Sequence, residues 1–363
     1  VERANIRELA AWSYKEPDLP PVEETDLDAD PMTMMAQDYI RMAVAKLEKV
    51  EKPEPEIPEI SKTILVLGGG FTGLTAALNA ADTGYDVVLV EKEEKLGGFA
   101  AQMYKQLPSS YPFTDAEEPS INDLIARVEN HDKIKVLTGA SLESLAGAPG
   151  MYEAKVKTGG EEQVLKIGAV VLATGWKPYD ASKLEPLGYG KFKNVVTNVE
   201  FEKMAKEGEL KRPSDGQPVR SVAFIQCAGQ RDPEHLPYCS SVCCMVSLKQ
   251  ARYVREKDEN AKAFIFYKDM RTPGVYENYY KAAQDDPGIF LTKSEIEEVL
   301  EDSDDGRIVV RVKDTLLGEA LEVKVDLLVL ATGMVPATAE EAMLELEYQT
   351  KKAQGASDEE KKD

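Results

Sequence analysis

The 363-residue sequence has few basic residues for its length. Lys and Arg number 44 against 65 Asp and Glu, which gives a formal net charge of −21. Nucleic acids and anionic membrane surfaces bind clustered Lys and Arg, so this balance disfavours both as partners. We therefore expect a well-solvated protein that does not bind nucleic acid.

The sequence also lacks long apolar runs. No stretch approaches the roughly 20 apolar residues that a membrane-spanning helix needs. The first residues, Val1-Glu-Arg-Ala-Asn-Ile-Arg7, contain no apolar signal-peptide core and no initiating Met. These features predict a cytoplasmic protein without a membrane span, present here as a processed or excised piece.

Cysteine is scarce, and its distribution is informative. Cys227, Cys239, Cys243 and Cys244 are the four cysteines of the sequence, and they lie in one short window. This clustering disfavours a disulfide framework. It favours four thiolates that hold a tetrahedral metal or an iron–sulfur cluster. Structural zinc, a redox disulfide between Cys243 and Cys244, and His235 as a further ligand stay open as alternatives.

The clearest nucleotide-binding pattern begins at residue 63. A continuous apolar run at 63–67 predicts a buried parallel strand, and it leads directly into Gly68-Gly-Gly70-Phe-Thr-Gly73 and an Ala/Leu-rich helix. In this context Gly68 permits the tight turn, Gly70 lets the backbone approach a pyrophosphate, and Gly73 lets helix and strand close together.

The residues around this turn complete the predicted nucleotide site. Phe71 and Thr72 begin the helix whose N-terminal amides would bind the phosphates, and Glu91, after the next strand, would accept hydrogen bonds from a ribose. A second glycine pair then follows, and it resembles the FAD-binding signature of two-dinucleotide-domain flavoproteins. FAD is therefore predicted, with further contacts from Lys92, Gly97, Gly98 and Phe99.

An internal repeat points to a second, related unit. A buried strand ending in Ala-Thr-Gly occurs at 169–175 and again at 326–333. Thr174, Gly175, Thr332 and Gly333 are accordingly predicted to lie beside a nucleotide site, although either copy could be a core strand with a turn. A second βαβ pattern starts at Ser221, but its first turn carries the cysteines in place of glycines.

With these motifs the sequence resembles the HdrA family, the flavin subunit of heterodisulfide reductases, and the related A and B subunits of the quinone-interacting Qmo complex. The pieces that carry the resemblance are the segments 1–7 and 39–45, the glycine turn 68–73, Leu96-Gly-Gly98, both Ala-Thr-Gly strands, Pro237-Tyr-Cys-Ser-Ser-Val-Cys-Cys244 and 268–272. The cysteine segment is the most specific of them. The chain is interpreted as a fragment or a shortened member.

The resemblance implies a fold and its domains. The expected fold is α/β, with two Rossmann-like dinucleotide-binding domains of thioredoxin-reductase type and an N-terminal helical arm. Residues 1–60 are assigned to the arm, in which Asp30 and Pro31 predict a helix start, and to a Pro-rich linker. Residues 61–200 and 315–345 are assigned to the FAD-binding domain. Residues 201–314 are assigned to the second domain with the cysteine loop, and 346–363 to a charged tail.

The resemblance also implies a function. The four cysteines would ligate a [4Fe–4S] cluster beside FAD. Lys249 would lie near the reactive flavin nitrogen as the catalytic cation, with a solvated helix lysine as the alternative. The implied role is that of an electron-transfer component of an oxidoreductase complex, whose partners are iron–sulfur and quinone-interacting membrane subunits. An NAD(P)H-dependent disulfide-type reductase and a non-catalytic, zinc-stabilised docking module are the competing hypotheses.

Overall fold

The computed structural model describes residues 2–13, 30–51 and 60–338. It divides the chain into two units, one at 1–59 and the other at 60–363. The predicted Pro-rich linker lies largely outside the described residues, and so does the predicted charged tail. In the parts of the chain that are described, no helix combines the length and the apolar character that crossing a membrane requires.

The first unit is helical. It contains α1 (Ile6–Leu9) and α2 (Pro31–Lys49). As predicted, Asp30 caps α2: its carboxylate accepts hydrogen bonds from the amide and the hydroxyl of Thr33, at 2.8 and 2.9 Å. Lys46 near the end of α2 pairs with Glu2 at 2.7 Å.

The second unit contains a four-stranded parallel sheet, a seven-stranded mixed sheet and two smaller antiparallel sheets, with helices packed on the two larger sheets. Its helices are α3 (Phe71–Asp82), α4 (Ile121–Glu129), α5 (Asn198–Glu207), α6 (Cys243–Lys257) and α7 (Glu277–Gln284). Its strands are β1 (Ile64–Leu67), β2 (Val87–Val90), β3 (Ile134–Leu137), β4 (Ala140–Ala146), β5 (Tyr152–Thr158), β6 (Glu161–Ile167), β7 (Ala169–Leu172), β8 (Trp176–Pro178), β9 (Val195–Thr197), β10 (Ser221–Ile225), β11 (Lys262–Tyr267), β12 (Ile289–Glu301), β13 (Ile308–Asp314), β14 (Ala320–Val325), β15 (Leu327–Leu330) and β16 (Met334–Pro336).

The first sheet has the strand order β3-β2-β1-β7, and its registered pairs are parallel. Its central strands are continuously apolar because both faces are covered. Val66 and Leu89 face a core shared with α3 and α4, whereas Leu65 and Val88 face the antiparallel meander β4-β5-β6. This packing fixes the carboxyl ends of β1 and β2, where the glycine turn lies.

The second sheet repeats this arrangement. Its order is β14-β13-β12-β11-β10-β15-β9, with β10 parallel to both β11 and β15, as β1 is to β2 and β7. Val222 and Phe224 of β10 face the core shared with α5, α6 and α7, and Ala223 and Ile225 face the opposite core. The turn after β10 therefore corresponds to the glycine turn after β1.

The second sheet corrects part of the predicted domain assignment. β15, which was grouped with the FAD-binding domain, pairs with β10 and β9. β9 lies inside the range 61–200 but also belongs to this sheet. Both Ala-Thr-Gly strands have the same local sequence, and strand sequence alone does not specify which sheet a strand joins.

Candidate functional site

The first glycine turn is shaped by steric limits at two positions. Gly68 has φ +106°, and a Cβ there would lie 2.2 Å from the carbonyl oxygen of Ala173. A Cβ on Gly73 would lie 1.8 Å from the carbonyl oxygen of Gly68. Gly70 differs, because nothing lies within 4 Å of where its Cβ would be. The turn is thus closed at Gly68 and Gly73 and open at Gly70.

The start of α3 offers hydrogen-bond donors at this opening. Gly70 is the N-cap residue and supplies no side-chain cap, so the amides of Phe71 and Thr72 in the first helical turn have no capping side chain. The Phe71 side chain is 51% exposed and that of Lys92 is 74% exposed. Both residues are therefore largely open to solvent, and the free space at the turn lies at the backbone of Gly70.

Glu91 is held at the same edge of the sheet. Its two carboxylate oxygens accept hydrogen bonds from the Gly69 amide at 2.6 Å and from the Glu93 amide at 2.9 Å. The residue is buried. The structure therefore brings the predicted ribose acceptor next to the glycine turn.

The second glycine pair packs directly on the first turn. The Gly97 amide donates to the carbonyl oxygen of Gly69 at 2.7 Å, and a Cβ on Gly98 would lie 3.2 Å from the Cα of Gly70. Phe99, which follows, stacks on Trp176 with ring centroids 4.0 Å apart. Trp176 comes directly after Thr174 and Gly175, so the first Ala-Thr-Gly segment also meets this group.

The second Ala-Thr-Gly segment lies against the cysteine loop. Thr332 is fully buried, and a Cβ on Gly333 would lie 1.4 Å from the side-chain nitrogen of Gln230 in the cysteine loop. The Ser240 hydroxyl accepts a hydrogen bond from the Met334 amide at 2.9 Å. Gly333 therefore packs against the cysteine loop, and the place of Thr332 and Gly333 beside a nucleotide stays a prediction. The two Ala-Thr-Gly segments also meet directly: the Ala337 amide donates to the carbonyl oxygen of Gly175 at 3.0 Å, the Tyr179 amide donates to that of Gly333 at 3.4 Å, and β8 pairs with β16.

The cysteine loop joins β10 to α6. Cys227, Arg231 and Ser241 all have positive φ, at 56°, 53° and 55°, which non-glycine residues seldom adopt. Cys243 and Cys244 are buried in the first turn of α6, whereas Cys227 and Cys239 are half-buried. All four are free thiols.

The thiols interact with one another and with two glutamines. The Gln230 side-chain amide donates to Cys243 Sγ at 3.1 Å, and the Cys244 thiol donates to Gln226 Oε1 at 3.1 Å. Burial, with smaller contributions from the charges of the other three cysteines, raises the pKa of Cys243 to about 12. The four sulfurs are therefore close enough to interact electrostatically. Neither glutamine was identified from the sequence as a site residue. Their position close to cysteines in the sequence was the one signal that could have pointed to them.

The cysteines do not converge on a single point. Within the described residues, no three His, Cys, Asp or Glu side chains are placed so that they could hold one metal ion. His235, the other candidate ligand, lies with Nδ1 2.8 Å from the hydroxyl oxygen of Tyr179.

Lys249 is buried on α6. Its side chain is 3% exposed, and its Nζ donates to the carbonyl oxygen of Lys105 at 2.7 Å and to Glu202 Oε1 at 3.0 Å. Burial lowers the pKa of Lys249, and the Glu202 carboxylate opposes that shift. The alternative interpretation of a solvated helix lysine is therefore wrong. Lys105 lies shortly after the second glycine pair, so Lys249 connects the cysteine helix to that segment.

Glu202 is the central residue of this buried network. Besides Lys249, its carboxylate accepts hydrogen bonds from the Tyr253 hydroxyl at 3.0 Å, the Gln250 amide at 2.9 Å and the Tyr104 backbone amide at 3.0 Å. Sequence reasoning missed it. The available signal was its place on the buried face of α5, at helical spacing with Asn198, Phe201 and Ala205.

Comparison with known proteins gives a consistent result. Residues 48–212 match the pyridine nucleotide-disulphide oxidoreductase family. The chain is 30% identical to a CoB–CoM heterodisulfide reductase iron-sulfur subunit (HdrA) of Methanopyrus kandleri, over 95% of this chain and 63% of that protein. It is also 30% identical to the corresponding protein of Methanocaldococcus jannaschii, over 93% of this chain and 62% of that protein. The chain is a homologue of HdrA.

The predicted relationship to this family is thereby confirmed, and so is the expected placement among the flavoprotein oxidoreductases. The chain spans slightly less than two thirds of the length of these HdrA relatives. The thioredoxin reductase of Lactococcus lactis superposes with a TM-score of 0.50 at 16% identity, over 76% of this chain and 79% of that chain. This likeness confirms the predicted thioredoxin-reductase-type fold.

Proposed function

We propose that this HdrA homologue is the FAD- and [4Fe–4S]-binding electron-transfer part of a heterodisulfide-reductase-like or Qmo-like oxidoreductase complex. The observation that carries the proposal is the group of four free cysteines on the loop after β10, at the place that corresponds to the glycine turn after β1 in the first sheet. FAD exchanges two electrons and an iron–sulfur cluster passes them singly, so the two groups together connect two-electron and one-electron partners.

The glycine turn fits the pyrophosphate of FAD. The free space at Gly70 allows a phosphate to approach the backbone. Phe71 and Thr72 lie at the N-terminus of α3, where free backbone amides and the helix dipole favour negative charge. Glu91 is fixed beside the turn, where its carboxylate can accept from a ribose hydroxyl. Gly98 packs on the turn with its Cα side against the backbone of Gly70, so no side chain of this residue lies over the turn.

The cysteine loop fits a four-iron cluster. Such a cluster binds each thiolate at a different iron, so its ligands surround a volume and do not converge on one ion. Burial raises the pKa of Cys227, Cys243 and Cys244, so these thiols stay protonated until a metal takes the place of the protons. Gln230 donates to Cys243 Sγ and can keep this hydrogen bond to a thiolate, whereas the bond that the Cys244 thiol donates to Gln226 would be lost on deprotonation.

Lys249 supplies the cation of the proposed site. Its contact with the carbonyl oxygen of Lys105 ties it to the segment that follows Gly98, which is where the flavin contacts are expected. A cation near the reactive flavin nitrogen would stabilise the anionic reduced ring. Glu202 accepts a hydrogen bond from this ammonium group and so orients it.

Membership of a larger complex is part of the proposal. The HdrA relatives are named as subunits of heterodisulfide reductases, and the chain matches only part of each. We propose iron–sulfur and quinone-interacting membrane subunits as the electron-exchange partners, since FAD and a cluster together would relay electrons between two-electron and one-electron carriers.

The competing reductase hypothesis has one observation in its favour, the match to the pyridine nucleotide-disulphide oxidoreductase family. It requires a nicotinamide nucleotide to bind at the second βαβ unit. There the cysteine loop, rather than a glycine turn, occupies the position, so we favour the relay. Rapid bleaching of the flavin by NADH, without any other protein, would reverse this preference.

The decisive experiment is anaerobic purification with flavin, iron and sulfide quantified on one sample. We expect FAD with four iron and four sulfide per flavin. The C243S/C244S variant should lose iron and sulfide but keep FAD, because neither cysteine belongs to the glycine turn. Zinc at one per chain, without iron, would identify the docking module instead and contradict the proposal.

A further inference from the structure

Arg231 is an unexplained cation inside the cysteine loop. It lies four residues after Cys227 and has φ +53°, a strained conformation for a side chain of its size. Its Nη2 donates to Asp269 Oδ2 at 2.8 Å. Its Nη1 is buried and has no hydrogen-bond partner among the described residues.

A buried guanidinium donor without a partner is unfavourable and rare in folded proteins. The position of the guanidinium follows from Asp269, the partner of Nη2. The backbone carbonyl of Asp269 contacts Cys244 Sγ at 3.6 Å, so Arg231 pairs with a residue that touches one of the sulfurs. The guanidinium also lies close enough to the Cys227 side chain to interact with it. The guanidinium is therefore adjacent to both ends of the cysteine loop.

We propose that Arg231 donates a hydrogen bond from Nη1 to a sulfur of the cluster held by the four cysteines and thereby raises the reduction potential of that cluster. The inference rests on the proposed function. Reduction adds one electron, and therefore one negative charge, to the cluster. A nearby cation and an N–H donor to sulfur both stabilise the reduced form more than the oxidised form, and so raise the potential.

Asp269 acts as the brace of this arrangement. It binds Arg231 with one carboxylate oxygen and Lys293 Nζ, at 3.4 Å, with the other. The Arg231 side chain is thereby held in one direction, which leaves Nη1 to donate to a further acceptor. Arg231 is thus a positioning and tuning residue, and it need not touch the flavin.

The test is a redox titration of the cluster, followed by electron paramagnetic resonance, in anaerobically purified protein. R231Q should shift the cluster potential downward. R231K keeps the charge but loses the planar donor group, so its potential should lie between those of R231Q and the wild type. R252Q is the matched control: Arg252 is also partly buried and pairs with Asp115 at 2.8 Å, but it lies about 12 Å beyond Cys244 along α6.

The outcomes separate the two claims. A wild-type chain without iron and sulfide would refute the proposed function and this inference with it. A wild-type chain with a cluster whose potential is the same in R231Q and R252Q would refute the inference alone. If R231Q fails to assemble a cluster, R231K decides: a lower potential than the wild type supports the inference, and an unchanged potential overturns it.

Discussion

Replacing Lys249 by Met should destabilise the fold strongly, because it leaves the buried Glu202 carboxylate without its cation. The Lys249 and Glu202 side chains are 3% and 11% exposed, with Nζ and Oε1 3.0 Å apart. At an effective dielectric constant of about 20, two charges at this distance attract by about 5 kcal/mol. Desolvation of the ammonium group offsets part of this, and three other donors stay on Glu202. We therefore expect K249M to lower the free energy of unfolding by about 3 kcal/mol.

The double variant K249M/E202Q separates the charge interaction from the loss of packing. E202Q alone leaves Lys249 with the Lys105 carbonyl and should lower the free energy of unfolding by about 2 kcal/mol. With both charges removed, we expect a loss of about 2 kcal/mol, not the sum of the single losses. The coupling energy of the pair would then be about 3 kcal/mol.

Equilibrium urea unfolding of the flavin- and cluster-free chain, at low and high salt, measures these quantities. The buried pair should change little with salt, because screening acts mainly on exposed charges. The surface pair Arg311–Glu298, with both side chains nearly half exposed, is the control and should couple by less than about 1 kcal/mol. Single losses below about 1 kcal/mol that add in the double variant would refute the reasoning.

Three further predictions concern the glycine turn, an acid-sensitive loop and the thiols. G70A should fold normally but lose FAD absorbance, since its Cβ has free space only while no phosphate is bound. G73A should lower the unfolding midpoint itself, because its Cβ would lie 1.8 Å from a carbonyl oxygen. Equal stability of the two variants would contradict this prediction. Hydrogen bonds from Ser109, Ser110 and Gln106 lower the pKa of Glu117 from its usual 4.5 to about 2. The stability that these bonds contribute is therefore present above about pH 4.5 and is lost as the pH falls towards 2. Urea unfolding midpoints measured against pH should show this loss, and E117Q should abolish it. In the cluster-free chain, iodoacetamide should label Cys243 very slowly at pH 8, because burial raises the pKa of this thiol to about 12. The labelling rate should rise about tenfold per pH unit up to near pH 12. Fast labelling at pH 8, measured by peptide mass spectrometry, would exclude the raised pKa.

The first glycine turn could be predicted because its requirements are local. Gly68 needs a positive φ, and Gly73 must lack a Cβ because the carbonyl oxygen of Gly68, in the same motif, occupies that space. Such constraints are met by one residue type and therefore appear in the sequence. The position of Glu91 follows equally directly, since it comes just after a strand that must pair with β1.

Sheet membership could not be predicted in the same way. Leu172 and Leu330 end nearly identical Ala-Thr-Gly strands, yet Leu172 is 67% exposed and Leu330 is fully buried. The cause is the neighbouring strand: β9 pairs with the outer side of β15, whereas β7 is the last strand of the first sheet within the described residues. Pairing between distant segments decides this difference, and the strand sequence does not encode it.

The contacts around the thiols were also beyond the sequence. Cys227 and Arg231 adopt positive φ without being glycine, so the loop takes a course that residue preferences disfavour. Side-chain directions in such a loop follow from its tertiary contacts. The partners Gln226, Gln230 and Asp269 could therefore be found only in the folded structure, although the four cysteines themselves were evident.

The packing of this loop bears on the choice between relay and nucleotide-dependent reductase. If a nucleotide bound after β10 as FAD is proposed to bind after β1, it would need open space near the backbone, such as Gly70 offers. At the second turn Gln230 fills the space over Gly333, and the Ser240 hydroxyl accepts from the amide of Met334. Gly333 itself must be glycine for the loop to fit. A nucleotide would have to displace these contacts, whereas the proposed cluster would bind the cysteines without entering the space over Gly333, so the packing favours the relay.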